Sequence, residues 1–216
     1  WQTAMIPVYY DCFYKQEKLY ENTKTVFTIH NIQYQGKYGR ELVGDVLGLP
    51  EGKESLLEYD NCINFMKGAI QCADKVTTVS NTYAEEIKSP FFGEGLDGLM
   101  NARSNSLVGI VNGIDYDVYN PEKDRKLAKA YNVTNFKKNK VMNKTALQKE
   151  LGLPVDKNQF VLGIISRLTD QKGLDLVDAV MNDICQDGVQ FIVLGTGDPR
   201  YENMFRYYQG IHPAKV

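Results

Sequence analysis

Arg167 and Lys172 are the residues of this chain best suited to chemistry, because of where they stand. They close the stretch Phe160-Val-Leu-Gly-Ile-Ile-Ser-Arg-Leu-Thr-Asp-Gln-Lys-Gly173. Its opening apolar run predicts a strand buried on both faces of a parallel sheet. Ser166 and Arg167 end the run. Thr169 and Asp170 are helix N-cap types, and Gly173 opens an amphipathic segment over 173–187. A strand, a polar turn and a helix N-terminus in series is where open α/β sheets bind ligands, outside the carboxyl ends of their strands. The helix start offers unpaired N–H groups and partial positive charge. Arginine grips phosphate oxygens as a planar fork and lysine adds a point charge. The chemistry indicated is the binding of a diphosphate. The competing reading is that Arg and Lys in a loop are solvated surface, the commoner case; the residues alone leave the two in balance.

Three other polar groups stand at predicted strand ends. Thr25-Val-Phe-Thr-Ile29 reads as a buried strand, and His30-Asn31 follows it. A lone His is more often structural than catalytic, but this one precedes a long loop at a ligand-binding edge. Asn112-Gly113 is a turn dipeptide after the strand Leu107–Val111. Its amide could bond a sugar hydroxyl, while an Asn in a left-handed turn is the plainer explanation. Gly195-Thr-Gly197-Asp198 follows the strand Phe191–Leu194. Its glycines permit close approach to a ligand, and Pro199 suits the first position of a helix. By itself that pattern is weak evidence for a nucleotide.

The elements that must position these residues alternate between strand and helix. Trp1–Tyr14 reads as a buried helix through Ala4, Met5, Val8, Tyr9 and Cys12. Glu54–Ala73 reads as one long helix with a broad apolar face. Lys75–Ser80 is a strand, with Ser80 or Asn81 capping a helix over Thr82–Lys88 that Pro90 ends. Phe91–Asn101 carries three glycines and reads as a loop with a short helix. Glu122–Lys140 is rich in charge and marks the best domain boundary. A helix Lys144–Leu151 follows, closed by Gly152 and Pro154. Next come the Arg167 strand, a helix burying Leu174, Leu176, Val177, Val180, Met181 and Ile184, a second strand, and a helix from Pro199. Alternating strands and helices predict an α/β fold with parallel sheets, two of them given the polar insertion.

Composition narrows the function. The 216 residues are 43% hydrophobic and 24% charged, ordinary for a globular protein, and a net charge of −2 argues against a nucleic-acid partner. No apolar run is long enough to span a bilayer. Cys12, Cys62, Cys72 and Cys185 lack metal-ligand spacing and are expected to be buried free thiols in a reducing compartment. The histidines are far apart and no carboxylate cluster has ligand spacing, so no metal is expected. Asn132-Val-Thr134 and Asn143-Lys-Thr145 are read as chance sequon matches. The first residue is Trp and no element closes the chain at Val216, so an internal fragment is expected.

Ser166-Arg-Leu-Thr-x-Gln-Lys-Gly-Leu-Asp-Leu176 resembles the signature of the bacterial glycogen synthases and plant starch synthases. The resemblance continues in Thr28-Ile-His-Asn-Ile-Gln-Tyr-Gln-Gly36, Val111-Asn-Gly-Ile-Asp115 and Leu194-Gly-Thr-Gly-Asp198. Four blocks in the family's order cover nearly the whole chain. Trp1 resembles the last residue of the family's His-Asp-Trp motif.

The resemblance implies two Rossmann-like domains facing a cleft (the GT-B type), each partly present. Residues 1–114 would be the later part of the N-terminal, acceptor-side domain, 115–142 a linker, and 143–216 the earlier part of the nucleotide-sugar domain. It implies glucose transfer from ADP-glucose to the non-reducing end of an α-1,4-glucan (glycogen or starch), with retention and without a cofactor. It places the enzyme in the cytoplasm, or in a plastid for a plant protein. It assigns His30 to the neighbourhood of the glucose 6-hydroxyl, and Asn31 more loosely with it. Asn112 is assigned to substrate contact, Arg167 and Lys172 to the leaving diphosphate, and Gly195 and Gly197 to the nucleotide. In the family no protein nucleophile is established, and the leaving phosphate is thought to help deprotonate the incoming 4-hydroxyl. The family's Lys-x-Gly-Gly-Leu loop and its glutamate-bearing loop match nothing in these residues, so the chain alone is expected to be inactive. The alternatives are a related retaining glycosyltransferase using another nucleotide sugar, and a non-catalytic nucleotide- or glucan-binding module. His30-Asn31 together with Arg167 and Lys172 favours the synthase over a binding relic.

Overall fold

Residues 1–216 are all described by the computed structural model, and their contacts divide them into two units, Trp1–Gly113 and Ile114–Val216. The first unit opens with α1 (Met5–Tyr9), which runs on as a π-helical turn over Tyr10–Tyr14. Then follow β1 (Val26–Ile29), β2 (Lys37–Tyr38), α2 (Leu42–Asp45), β3 (Glu58–Tyr59), β4 (Cys62–Asn64) and α3 (Phe65–Cys72). β5 (Lys75–Thr78), α4 (Asn81–Glu86), α5 (Asp97–Ala102) and β6 (Leu107–Gly109) complete it.

β1, β5 and β6 form a parallel sheet in that order, with Ile29 level with Thr78 and Thr78 level with Gly109. β5 is central, and Val76, Thr77 and Thr78 are all buried. β1 alternates: Phe27 and Ile29 face a core with Met66, Ala69 and Ile70 of α3, while Val26 and Thr28 face outward. The entries to β1 and β5 are stapled together. Thr25 donates its N–H and Oγ1 to Asp74 Oδ2 at 2.7 and 3.0 Å, and these bonds hold the Asp74 carboxyl below its ordinary pKa, Lys24 adding to the effect.

The long helix expected over Glu54–Ala73 does not form. A hairpin interrupts it: β3 and β4 pair antiparallel through Asp60 and Asn61, both left-handed at φ 43° and 60°. A two-residue hairpin loop demands that conformation, and Asn and Asp tolerate it best. Leu57, Ile63, Met66 and Ala69 are buried as expected, but from different elements. α3 begins afresh at Phe65, capped by Asn64 Oδ1, which accepts from Lys67 N at 3.0 Å. At Gly68 a Cβ would meet Leu57 and Val8, so glycine lets α3 lie close against α1. Lys67 Nζ donates to the carbonyls of Ser55 and Leu56 and to Gln71 Oε1, which ties the Glu54–Leu57 turn to α3.

The second unit holds α6 (Phe136–Glu150), β7 (Phe160–Ile165), α7 (Leu174–Gln186), β8 (Val189–Leu194) and α8 (Pro199–Ile211). α6 starts well before the expected Lys144. The lysines there are good helix formers, and their charge is a solvated face rather than a sign of irregular chain. β7 pairs with β8 in parallel over its full length. The expectation that β7 is buried on both faces fails: Phe160 and Ile165 are 63% and 83% exposed, because this is a sheet of two strands. On α7, Leu174 and Met181 are buried and Val177 and Ile184 packed, but Leu176 and Val180 lie on the outer face. Gln148 and Gln190 form a buried amide pair at 2.8 Å that joins α6 to β8.

The cysteines are free thiols. Cys72 and Cys185 are buried, whereas Cys12 and Cys62 are only half-buried, a correction to the expected burial of all of them. No helix is long and apolar enough to cross a membrane.

Candidate active site

His30 follows β1 directly and is exposed. Asn31 Oδ1 accepts from Gln33 N at 3.0 Å, an Asx turn that bends the chain away from the strand. Ile32 is buried, and its N–H donates to Tyr83 Oη of α4 at 3.0 Å. Burial raises the Tyr83 pKa, so this hydroxyl is a neutral acceptor at physiological pH. The loop then turns inward. Gln35 Nε2 donates to the Glu94 carbonyl at 3.0 Å, and Asn64 Nδ2 donates to Gln35 Oε1 at 2.6 Å, with both side chains buried. Gly36, left-handed at φ 68°, lies against the Trp1 ring. A pocket of about 320 Å³ opens among Trp1, Gln33, Tyr34 and Tyr38.

Asn112 lies beyond β6. The last sheet bond on that side is Ile110 N to Thr78 O at 2.8 Å, after which Val111, Asn112 and Gly113 are exposed. His30, Asn31 and Asn112 therefore share the carboxyl edge of one parallel sheet, on its two outer strands with β5 between.

In the second unit the strand pairing continues past β7 and β8. Ser166 N donates to Leu194 O, Leu168 N to Thr196 O, and Asp198 N to Leu168 O, at 3.1, 2.9 and 2.7 Å. Arg167 thus projects from an extended strand end, exposed between half-buried Ser166 and buried Leu168. Asp170–Lys172 is a 3-10 turn, closed by Lys172 N to Thr169 O and Gly173 N to Asp170 O, both at 3.0 Å. Lys172 is exposed on it, and Gly173, at φ 66°, reverses the backbone into α7. The chain's ion pairs engage neither Arg167 nor Lys172. The first turn of α7 carries Asp175, which offsets part of the helix's own positive end. The anion-binding capacity rests on the two side chains more than on the helix.

Gly195 and Gly197 lie at the same edge. A Cβ at Gly195 would collide with the Ser166 carbonyl, and one at Gly197 with the Leu168 backbone. The close approach that requires glycine is between two strands of the protein itself. The start of α8 is satisfied internally: Asp198 Oδ1 accepts from Arg200 N at 2.8 Å and Glu202 Oε1 from Gly197 N at 3.0 Å. Pro199 takes the first helical position as expected. A pocket of about 280 Å³ between β8 and α8 touches Gly195 and Thr196 but includes neither cation.

The starch synthase catalytic domain family matches residues 1–102. Over its whole length the chain is 57% identical to a glycogen synthase of Lachnospira eligens, 50% to one of Lachnoclostridium phytofermentans and 51% to one of Clostridium acetobutylicum. Over its whole length the chain is similar to the glycogen and starch synthases. It spans 46% of each of those relatives. Among solved structures it is similar to the catalytic domain of starch synthase IV from Arabidopsis thaliana bound to ADP and acarbose. The TM-score is 0.86 and the identity 32%, over 99% of this chain and 44% of that one.

This similarity accords with the motifs at both sheet edges. Two features of the site were not legible in them. Tyr201 of α8 donates from its hydroxyl to Asp170 Oδ1 and is wholly buried. That bond, helped by burial, pushes the Tyr201 pKa up to about 12. The Gln35–Asn64 pair is the other. Both join residues distant in sequence, and no spacing rule announces such a contact.

Proposed function

We propose that the protein to which this chain belongs transfers glucose from ADP-glucose to the non-reducing end of an α-1,4-glucan, with retention of configuration, in a GT-B architecture and in the cytoplasm. The observation that carries this is the exposed Arg167 at the strand end and the exposed Lys172 on the 3-10 turn that follows it, at the carboxyl edge of β7 and β8, in a chain 57% identical to a glycogen synthase. Departure of ADP puts negative charge on the diphosphate. The guanidinium fork of Arg167 and the ammonium of Lys172 stabilise that charge as it develops. His30, Asn31 and Asn112 have the chemistry to bond glucose hydroxyls, and residues 1–114 form the acceptor side of this arrangement. Residues 143–216, with Gly195 and Gly197 at the edge, form the nucleotide side, and the stretch of 115–142 that precedes α6 links the two.

The test is glucan elongation by the full-length protein with ADP-glucose and UDP-glucose. Arg167→Ala and Lys172→Ala are each expected to lower turnover by about tenfold or more while the fold is retained. His30→Ala should also reduce it. Unchanged turnover in both cation variants rejects their assigned roles.

A further inference from the structure

Asp170 stands between Arg167 and Lys172 in sequence, on the 3-10 turn that presents Lys172 and follows the strand end bearing Arg167. A carboxylate beside a diphosphate is unfavourable, since like charges at short range oppose each other. The structure shows where that carboxylate goes. Its Oδ1 accepts the Tyr201 hydroxyl, which turns it toward α8. Tyr201 is 0% exposed and packs in the core with Leu168, Leu174 and Phe205. Its place is fixed by the helix start at Asp198, and Asp198 N is bonded to the Leu168 carbonyl. One buried hydroxyl thus connects the Arg167–Lys172 turn to the segment that follows Gly195-Thr196-Gly197.

We propose that Tyr201 and Asp170 are a positioning pair for the diphosphate site: the Tyr201 hydroxyl holds the Asp170 carboxylate away from the anion and fixes the turn that presents Lys172 beside Arg167. The inference rests on the donor reading above and adds residues which act through the cations without touching the donor. It also assigns a use to a buried tyrosine whose ring alone would fill the core equally well as phenylalanine.

The test uses the full-length protein, with ADP binding followed by calorimetry and donor and acceptor kinetics measured separately. Tyr201→Phe keeps the ring and removes the hydroxyl. It is expected to weaken ADP binding and raise the KM for ADP-glucose about tenfold, the scale of a small misplacement at a reacting site, with the KM for glucan unchanged. Asp170→Asn keeps an acceptor for Tyr201 and removes the charge, and should bind ADP roughly twofold or more tightly. The double variant should regain at least about threefold of the lost ADP affinity, because the released side chain is no longer an anion. A pair that merely holds the fold predicts the opposite, a double variant no better than Tyr201→Phe and a glucan KM that moves with the melting temperature. That result, or ADP affinity unchanged in Tyr201→Phe while the wild type elongates glucan, overturns this inference alone. A wild type that neither binds ADP nor elongates glucan overturns the donor reading and this inference with it.

Discussion

Asn64→Ala tests how the loop after His30 is held. Asn64 acts twice: its Oδ1 caps α3 through Lys67 N, and its Nδ2 satisfies Gln35 Oε1. Loss of the cap costs about 1 kcal/mol. Gln35 is 3% exposed, so its orphaned carbonyl cannot turn to water, and a buried acceptor left unpaired costs about 1–3 kcal/mol. The sum is about 2–4 kcal/mol. The assay is urea unfolding followed by tryptophan fluorescence. Trp1 is the sole tryptophan among these 216 residues and packs on Gly36, Tyr38 and Phe65, so in this chain its emission reports this loop. With a urea slope of about 2 kcal/mol per molar, the midpoint should fall by about 1–2 M. Asn64→Ser retains a capping oxygen and should be about 1 kcal/mol less damaging than alanine. A loss under about 0.5 kcal/mol in Asn64→Ala, or a serine variant as unstable as the alanine one, would refute the reasoning.

At Gly197 an added Cβ meets the Leu168 backbone, whereas at Gly163 it meets nothing within 4 Å. Gly197→Ala should cost about 3 kcal/mol and Gly163→Ala almost nothing, by unfolding followed with circular dichroism. Burial pushes the Cys72 thiol from 9.0 up to about 11, and the Asp170 bond pushes Tyr201 from 10.0 up to about 12. In both cases the folded state keeps a proton that the unfolded chain has released. Their contribution is full below about pH 9 and is lost as pH rises through 9–11 for Cys72 and 10–12 for Tyr201. Stability measured across that range should fall, and should fall less steeply in Tyr201→Phe; a flat profile to pH 11 contradicts these environments.

Local signals in the sequence were read correctly where the governing interaction is local. Ser80 caps α4, with its Oγ accepting from Tyr83 N at 3.2 Å, and Pro199 begins α8. β1 forms where expected but is buried on one face only, through Phe27 and Ile29, while Val26 and Thr28 face outward. The hairpin at Asp60-Asn61 was missed because the apolar residues around it match a helical period as well as a strand pair. Only a left-handed turn separates the two, and Asp-Asn is a weaker signal of it than Asn-Gly. The extent of α6 was missed because its charges resemble those of a linker.

The sequence by itself determined the strands of the two parallel sheets and the chemical types at their carboxyl ends, because hydrophobic period, caps and turn residues act within a few positions of one another. It also carried the motifs by which the family is recognised. Only the tertiary structure decided that Gly195 and Gly197 are required by a neighbouring strand, and that Asn64 holds Gln35. It alone turned Asp170 onto a buried tyrosine thirty-one residues away. Those contacts depend on which surfaces the packed elements bring together, and no local pattern encodes that pairing.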